Sequence, residues 1–172
     1  MNTYYIYTSA FSNENGICGT AYLIIDENGE LFYRKAISVK NGESRSMNIN
    51  AIISAVYRLP LKSSVIIYSS KEFGDMSGLW YDDDFQKAIK ARNITNYTCK
   101  DNSVYNDFQS KVSEYAYYSF QLLLSKNKGE TNTFSDRSMM IQSDIFDKMK
   151  TKNSSIALIA EKLDLELSPM RN

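Results

Sequence analysis

The sequence predicts a mixed α/β domain: three antiparallel strands, a crossover helix, a parallel central strand, then further helices around a fifth strand. Three segments carry that prediction. Tyr4-Tyr5-Ile6-Tyr7-Thr8-Ser9-Ala10 is strand-like, residues 46–56 have helical spacing, and Val65-Ile66-Ile67-Tyr68-Ser69-Ser70 contains the short apolar run of a central parallel strand.

The first strand, residues 3–8, is rich in Tyr and Ile, and the polar stretch 11–16 after it reads as a loop at the sheet end. Residues 18–25 are apolar, Asp26-Glu27-Asn28-Gly29 signals a turn, and residues 31–39 return as a strand, so the second and third strands form a hairpin. Asn28-Gly29 suits the positive φ angles of a tight turn. From Ser46 onward, Met47, Ala51, Ile52, Ala55, Val56 and Leu59 form one apolar stripe, and Pro60 marks its stop. Strand, helix and strand at 64–69 then require a crossover connection.

Beyond it, residues 71–79 and 82–91 read as two short helical pieces broken around 78–81. Residues 93–102 read as a polar loop, 104–116 as a helix, 118–124 as the fifth strand and 125–133 as another loop. A helix is expected over 134–150, and a last amphipathic one over 154–167 through Ile156, Ile159, Leu163 and Leu167, capped by Ser154. The expected division is one domain over residues 1–152 and a C-terminal helix and tail over 153–172.

Length and composition agree with one folded domain: 172 residues, 43% apolar and 23% charged. Lys plus Arg equals Asp plus Glu at 20 each, so any nucleic-acid binding must rest on a local patch. No apolar run nears the roughly 18 residues of a membrane span, and the N-terminus lacks a signal-peptide pattern, so a cytoplasmic protein with no membrane partner is expected. His is absent, and Cys18 and Cys99 lie far apart; Cys/His zinc sites and His-activated nucleophiles are excluded. The excess of Asn, Ser, Lys, Ile and Tyr over Pro suggests an A/T-rich coding sequence, as in a phage or mobile element.

Five short motifs then fall in one order: Tyr7-Thr8-Ser9-Ala10, a loop with Gly16 and Gly19, Met47-Asn48-Ile49, Ser69-Ser70-Lys71, and Asn132-Thr133-Phe134-Ser135-Asp136. The arrangement resembles the ribonuclease H family, whose mixed five-stranded sheet is flanked by helices. In that family these motifs read Tyr-Thr-Asp-Gly, a glycine-bearing loop, Met-Glu-Leu, Thr-Asp-Ser and Asn-x-x-x-Asp. Their four carboxylates hold two divalent ions for phosphodiester hydrolysis. Here Ser9, Asn48 and Ser70 are neutral and only Asp136 is acidic. Hard Mg²⁺ needs anionic oxygen to offset its dehydration. The resemblance therefore implies a pseudo-ribonuclease H with no catalytic residue, metal or cofactor, acting as an accessory or regulatory binder of a protein partner or structured nucleic acid. Plainer roles exist as well: Ser and Asn satisfy backbone groups at element ends, and an acid in a first helical turn favours the dipole.

Lys87, Lys90, Arg92 and Lys100 surround Trp80 and Tyr97 where the family often carries a basic protrusion, and are candidates for phosphate contact and base stacking. Against this, Trp80 and Tyr81 are of types more often used in packing, and Glu43-Ser44-Arg45-Ser46 departs from the family's hybrid-gripping residues. Thirteen Tyr suit either an interface or simple strand propensity. Two alternatives stay open. One is a divergent metal nuclease using Asp75, Asp82, Asp83, Asp84 and Asp136; the other is a structural homo-oligomeric subunit.

Overall fold

The computed structural model describes residues 2–69, 76–101, 107–127 and 140–141. Strands β1 (Thr3–Ser12), β2 (Cys18–Ile25) and β3 (Leu31–Val39) form an antiparallel meander. β2 is buried along its whole length, as its unbroken run of apolar and small residues requires. At the β2–β3 turn the Asp26 carboxylate accepts from the amides of Asn28 and Glu30, both at 2.9 Å. That side chain sets the turn, and of the Asn28-Gly29 pair only Gly29 takes a positive φ, +80°.

Helix α1 (Ser44–Arg58) starts two residues before Ser46, the expected start, and ends where Leu59 turns extended ahead of Pro60. It buries Met47, Asn48, Ala51, Ile52, Ala55 and Val56, the face its spacing predicts. The chain returns as β4 (Ser64–Ser69), parallel to β1 with Thr8 beside Ser69. A 3₁₀ turn (Ser77–Tyr81) leads to α2 (Asp83–Ala91), then β5 (Asn96–Asp101), α3 (Asp107–Asn127) and the two-residue β6 (Met140–Ile141). The sheet order is β5-β4-β1-β2-β3-β6, the mixed five-stranded sheet expected, with β6 as a short addition.

The structure corrects the sequence reading in three places. Residues 96–101 are an edge strand rather than a loop: Tyr97 and Cys99 alternate onto the core while Asn96, Thr98 and Lys100 stay exposed. Edge strands carry polar and charged residues, which hides their period. Residues 118–124 are the second half of α3 rather than a strand. Val112, Tyr115, Ala116, Ser119, Leu122 and Leu123 are buried at helical spacing, which overrides the strand preference of the Tyr and Phe between them. Met140–Ile141, expected within a helix, pair antiparallel with Val39 and Ser38, occupying part of the edge β3 leaves open. The remainder of that expected helix, the C-terminal helix over 154–167 and most of the 71–79 piece lie outside the described residues.

Two cores result, one on each face of the sheet. Ile6, Tyr22, Ile24 and Ile67 meet α1 and α2 on one side; Tyr7, Leu23, Ile25 and Ala36 meet α3 on the other. Gly19 lets α3 settle almost onto the backbone of β2, since a Cβ there would lie 2.3 Å from both Ala116 O and Phe120 N. Ser119 locks the contact, its hydroxyl bonded to Ile37 O at 3.2 Å and its carbonyl accepting from Ser38 Oγ at 2.8 Å.

Candidate functional site

Strand parity decides which side chains meet at the C-terminal ends of β1 and β4. Tyr4, Ile6 and Ala10 belong to the α1-side core, so Thr8 between them faces α1; Val65 and Ile67 set the same face for Ser69. On α1 the buried Asn48 donates Nδ2–H to Ser69 Oγ at 2.8 Å. Thr8, Asn48 and Ser69 thus converge, each no more than 1% exposed. Thr8 Oγ1 and Asn48 Oδ1 have no hydrogen-bond partner among the described residues, unusual for buried polar atoms.

Ser9 points the opposite way. Its hydroxyl accepts from Ser113 Oγ on α3 at 3.2 Å, and its carbonyl accepts from Thr20 Oγ1 at 2.9 Å. Gln109 on α3 reaches the Thr8 carbonyl at 3.0 Å. The two nominated positions within the described residues, Ser9 and Asn48, therefore lie on opposite faces of the sheet; Ser70, Asp75 and Asp136 lie outside the described residues. Thr8 and Ser69 were not singled out from sequence. Their signal was the parity of Ile6 and Ile67, each two residues earlier and facing α1.

Thr8, Asn48 and Ser69 offer hydroxyl and amide oxygens and no anionic one, a donor set that does not fit a pair of hard divalent ions. Among the described residues no group of three His, Cys, Asp or Glu could hold a metal ion. Asp82 instead caps α2, accepting from Phe85 N at 3.0 Å, Asp83 and Asp84 sit in the first turn, and Asp84 pairs with Lys87 at 3.9 Å on the exposed surface.

The candidate nucleic-acid residues divide. Trp80 and Tyr97 pack together at 5.0 Å between ring centroids, with Phe85 5.7 Å from each, and Gln86 donates to Trp80 O at 2.9 Å. Those rings are spent on packing. Arg92 donates Nε–H to Leu59 O at 2.8 Å, tying the end of α2 to the end of α1. Lys87, Lys90 and Lys100 remain exposed. Tyr81, of a type expected in packing, is 87% exposed.

No family model matches the sequence, and no curated protein matches it. Solved structures do. The LC11 ribonuclease H1 isolated from compost by a metagenomic approach superposes with a TM-score of 0.55 at 18% identity, covering 72% of this chain and 99% of that one. The same enzyme in complex with an RNA/DNA hybrid gives 0.53 at 16% identity, covering 70% and 99%. Among the described residues, no helix is long and apolar enough to cross a membrane. With the strand order, the crossover and the helix placement on the page, the chain has the ribonuclease H-like fold.

Proposed function

We propose that this chain is a catalytically silent ribonuclease H-like domain that works by binding structured nucleic acid, as an accessory or regulatory factor. One observation carries the reading: the side chains that converge at the ends of β1, β4 and α1 are Thr8, Ser69 and Asn48, all neutral. Two-metal hydrolysis needs anionic oxygen to hold both ions, and among the described residues none is supplied at that point. The solved ribonuclease H1 with an RNA/DNA hybrid supports nucleic acid as the ligand class. The acids available for a relocated site weaken the divergent-nuclease alternative, because Asp82 is engaged as a helix cap and Asp84 in a surface ion pair.

A second reading, a protein partner or a second copy of the chain, draws on Tyr57, Leu61 and Tyr117, which are 47%, 62% and 43% exposed. A salt series of nucleic-acid binding alongside light scattering separates the two. A nucleic-acid binder loses affinity steeply as salt rises. A salt-insensitive homo-oligomer without nucleic-acid affinity would replace the first reading with the second.

A further inference from the structure

Charge is unevenly spread along this neutral chain. Residues 31–71, spanning β3, α1 and β4, contain seven Lys and Arg against a single acid, Glu43, and α1 itself carries no Asp or Glu. Two of those cations are brought together at one edge of the fold. On β3, Tyr33 and Ile37 pack on the α1-side core, so Lys35 between them shares that face, while Arg34 turns to Tyr115 on α3 at 3.2 Å. Helix α1 lies over β1 and β2, leaving Lys35 and Tyr33 beside its flank, where Ser54 and Arg58 stand one turn apart.

The side chains there are held in place. The Arg58 guanidinium lies 4.7 Å from the Tyr33 ring centroid, Tyr33 stacks on Tyr22 at 6.0 Å, and the Tyr22 hydroxyl is 3.2 Å from Ser54 Oγ. Lys35 sits directly across from Tyr22 in the β2–β3 register. Its ammonium is half-buried and repelled by Arg58, and both effects lower its pKa. Among the described residues neither Lys35 nor Arg58 has a carboxylate partner. Two like charges close enough to repel, the guanidinium set over a tyrosine ring and neither paired with a carboxylate among the described residues, suit the binding of an anion.

We propose that Lys35 and Arg58, with Tyr33 and Ser54, form a phosphodiester-binding ledge that holds a nucleic-acid backbone. It rests on the reading of the domain as a nucleic-acid binder, and it places the contact on the β3–α1 edge rather than on α2 and β5. The guanidinium fork matches two phosphate oxygens, the ammonium adds a point charge, and the Ser54 hydroxyl can donate. The positive excess continues along the same segment, which suits an extended polyanion better than one isolated carboxylate, and exposed Tyr57 adjoins the ledge on α1.

The test is fluorescence anisotropy with a labelled RNA/DNA hybrid and a DNA duplex over a salt series, with poly-glutamate as the non-nucleic polyanion. Relative to the unmodified protein, K35Q/R58Q is expected to bind at least about 10-fold more weakly, with a salt slope shallower by about 1.8, the loss of two phosphate contacts. K35R/R58K, which keeps both charges, should bind nearly as the unmodified protein does, and K87Q/K90Q/K100Q should stay within about twofold. Thermal melting controls for folding, and K35E alone, which leaves the Arg58–Tyr33 contact intact, should show the same loss. Unchanged affinity and slope in a folded K35Q/R58Q, with the unmodified protein binding well, would overturn the ledge and leave the binding reading standing. Binding of poly-glutamate without nucleic acid would overturn both in favour of an acidic protein partner, and no binding to any polyanion would remove both.

Discussion

Asn48 donates its amide to Ser69 across 2.8 Å, and the oxygen of that same amide is buried without a partner among the described residues. Thr8, beside Ser69 in the parallel register, carries a second oxygen with no partner among the described residues. Unmade hydrogen bonds in a buried place cost about 1–3 kcal/mol each. Thr8→Val, which removes the orphan hydroxyl at nearly constant volume, is therefore expected to stabilise the fold by about 1 kcal/mol in urea denaturation. Asn48→Ala should destabilise by about 1–3 kcal/mol, since it strands the Ser69 hydroxyl and opens a cavity. Destabilisation by Thr8→Val would show that the hydroxyl has a partner in solution.

Gly19 carries the contact between β2 and α3. Gly19→Ala would drive a methyl group against helix backbone, which cannot yield as a side chain can, and is expected to cost about 3 kcal/mol or more. A melting temperature within a few degrees of the unmodified protein would contradict the close approach.

Lys35 gives a pH signature. Burial, then repulsion by Arg58, lowers its folded pKa below the ordinary 10.5, so the unfolded chain binds the proton more tightly. Its charged form therefore burdens the fold below the lowered pKa, and the burden disappears as pH rises toward the ordinary value. Lys35→Gln should raise the melting temperature modestly at neutral pH, with the gain shrinking in alkaline buffer. A gain independent of pH would assign the effect to packing instead.

Cys18 is buried, and burial pushes its thiol up to about 12. Without thiolate at neutral pH it should react with a disulfide reagent only on unfolding, whereas half-buried Cys99 on edge strand β5 should react sooner. Fast labelling of Cys18 in the native protein would contradict its place in the core.

Most of the frame was legible in the chain. The β1–β3 meander, α1 and β4 have strong periods bounded by Gly29 and Pro60, so local chemistry and tertiary packing agree. The errors fell where they disagree: β5 is polar because it is an edge, and the Tyr-rich half of α3 is helical because its buried residues recur every three to four positions. Of the residues that motif spacing singled out, Asn48 lies in the cluster at the ends of β1 and β4, and the Ser9 hydroxyl lies on the α3 face. Counting strand parity from Ile6 and Ile67 would have led to Thr8 and Ser69. The meeting of Lys35 with Arg58 depends on how α1 lies across the sheet, which no local pattern encodes.

The most direct measurement incubates the purified protein with an RNA/DNA hybrid, duplex RNA and single strands in Mg²⁺ and in Mn²⁺, and follows the products. A neutral Thr8–Asn48–Ser69 cluster predicts intact substrate in every lane. Metal-dependent cleavage that is lost in Asp136→Ala would contradict the account.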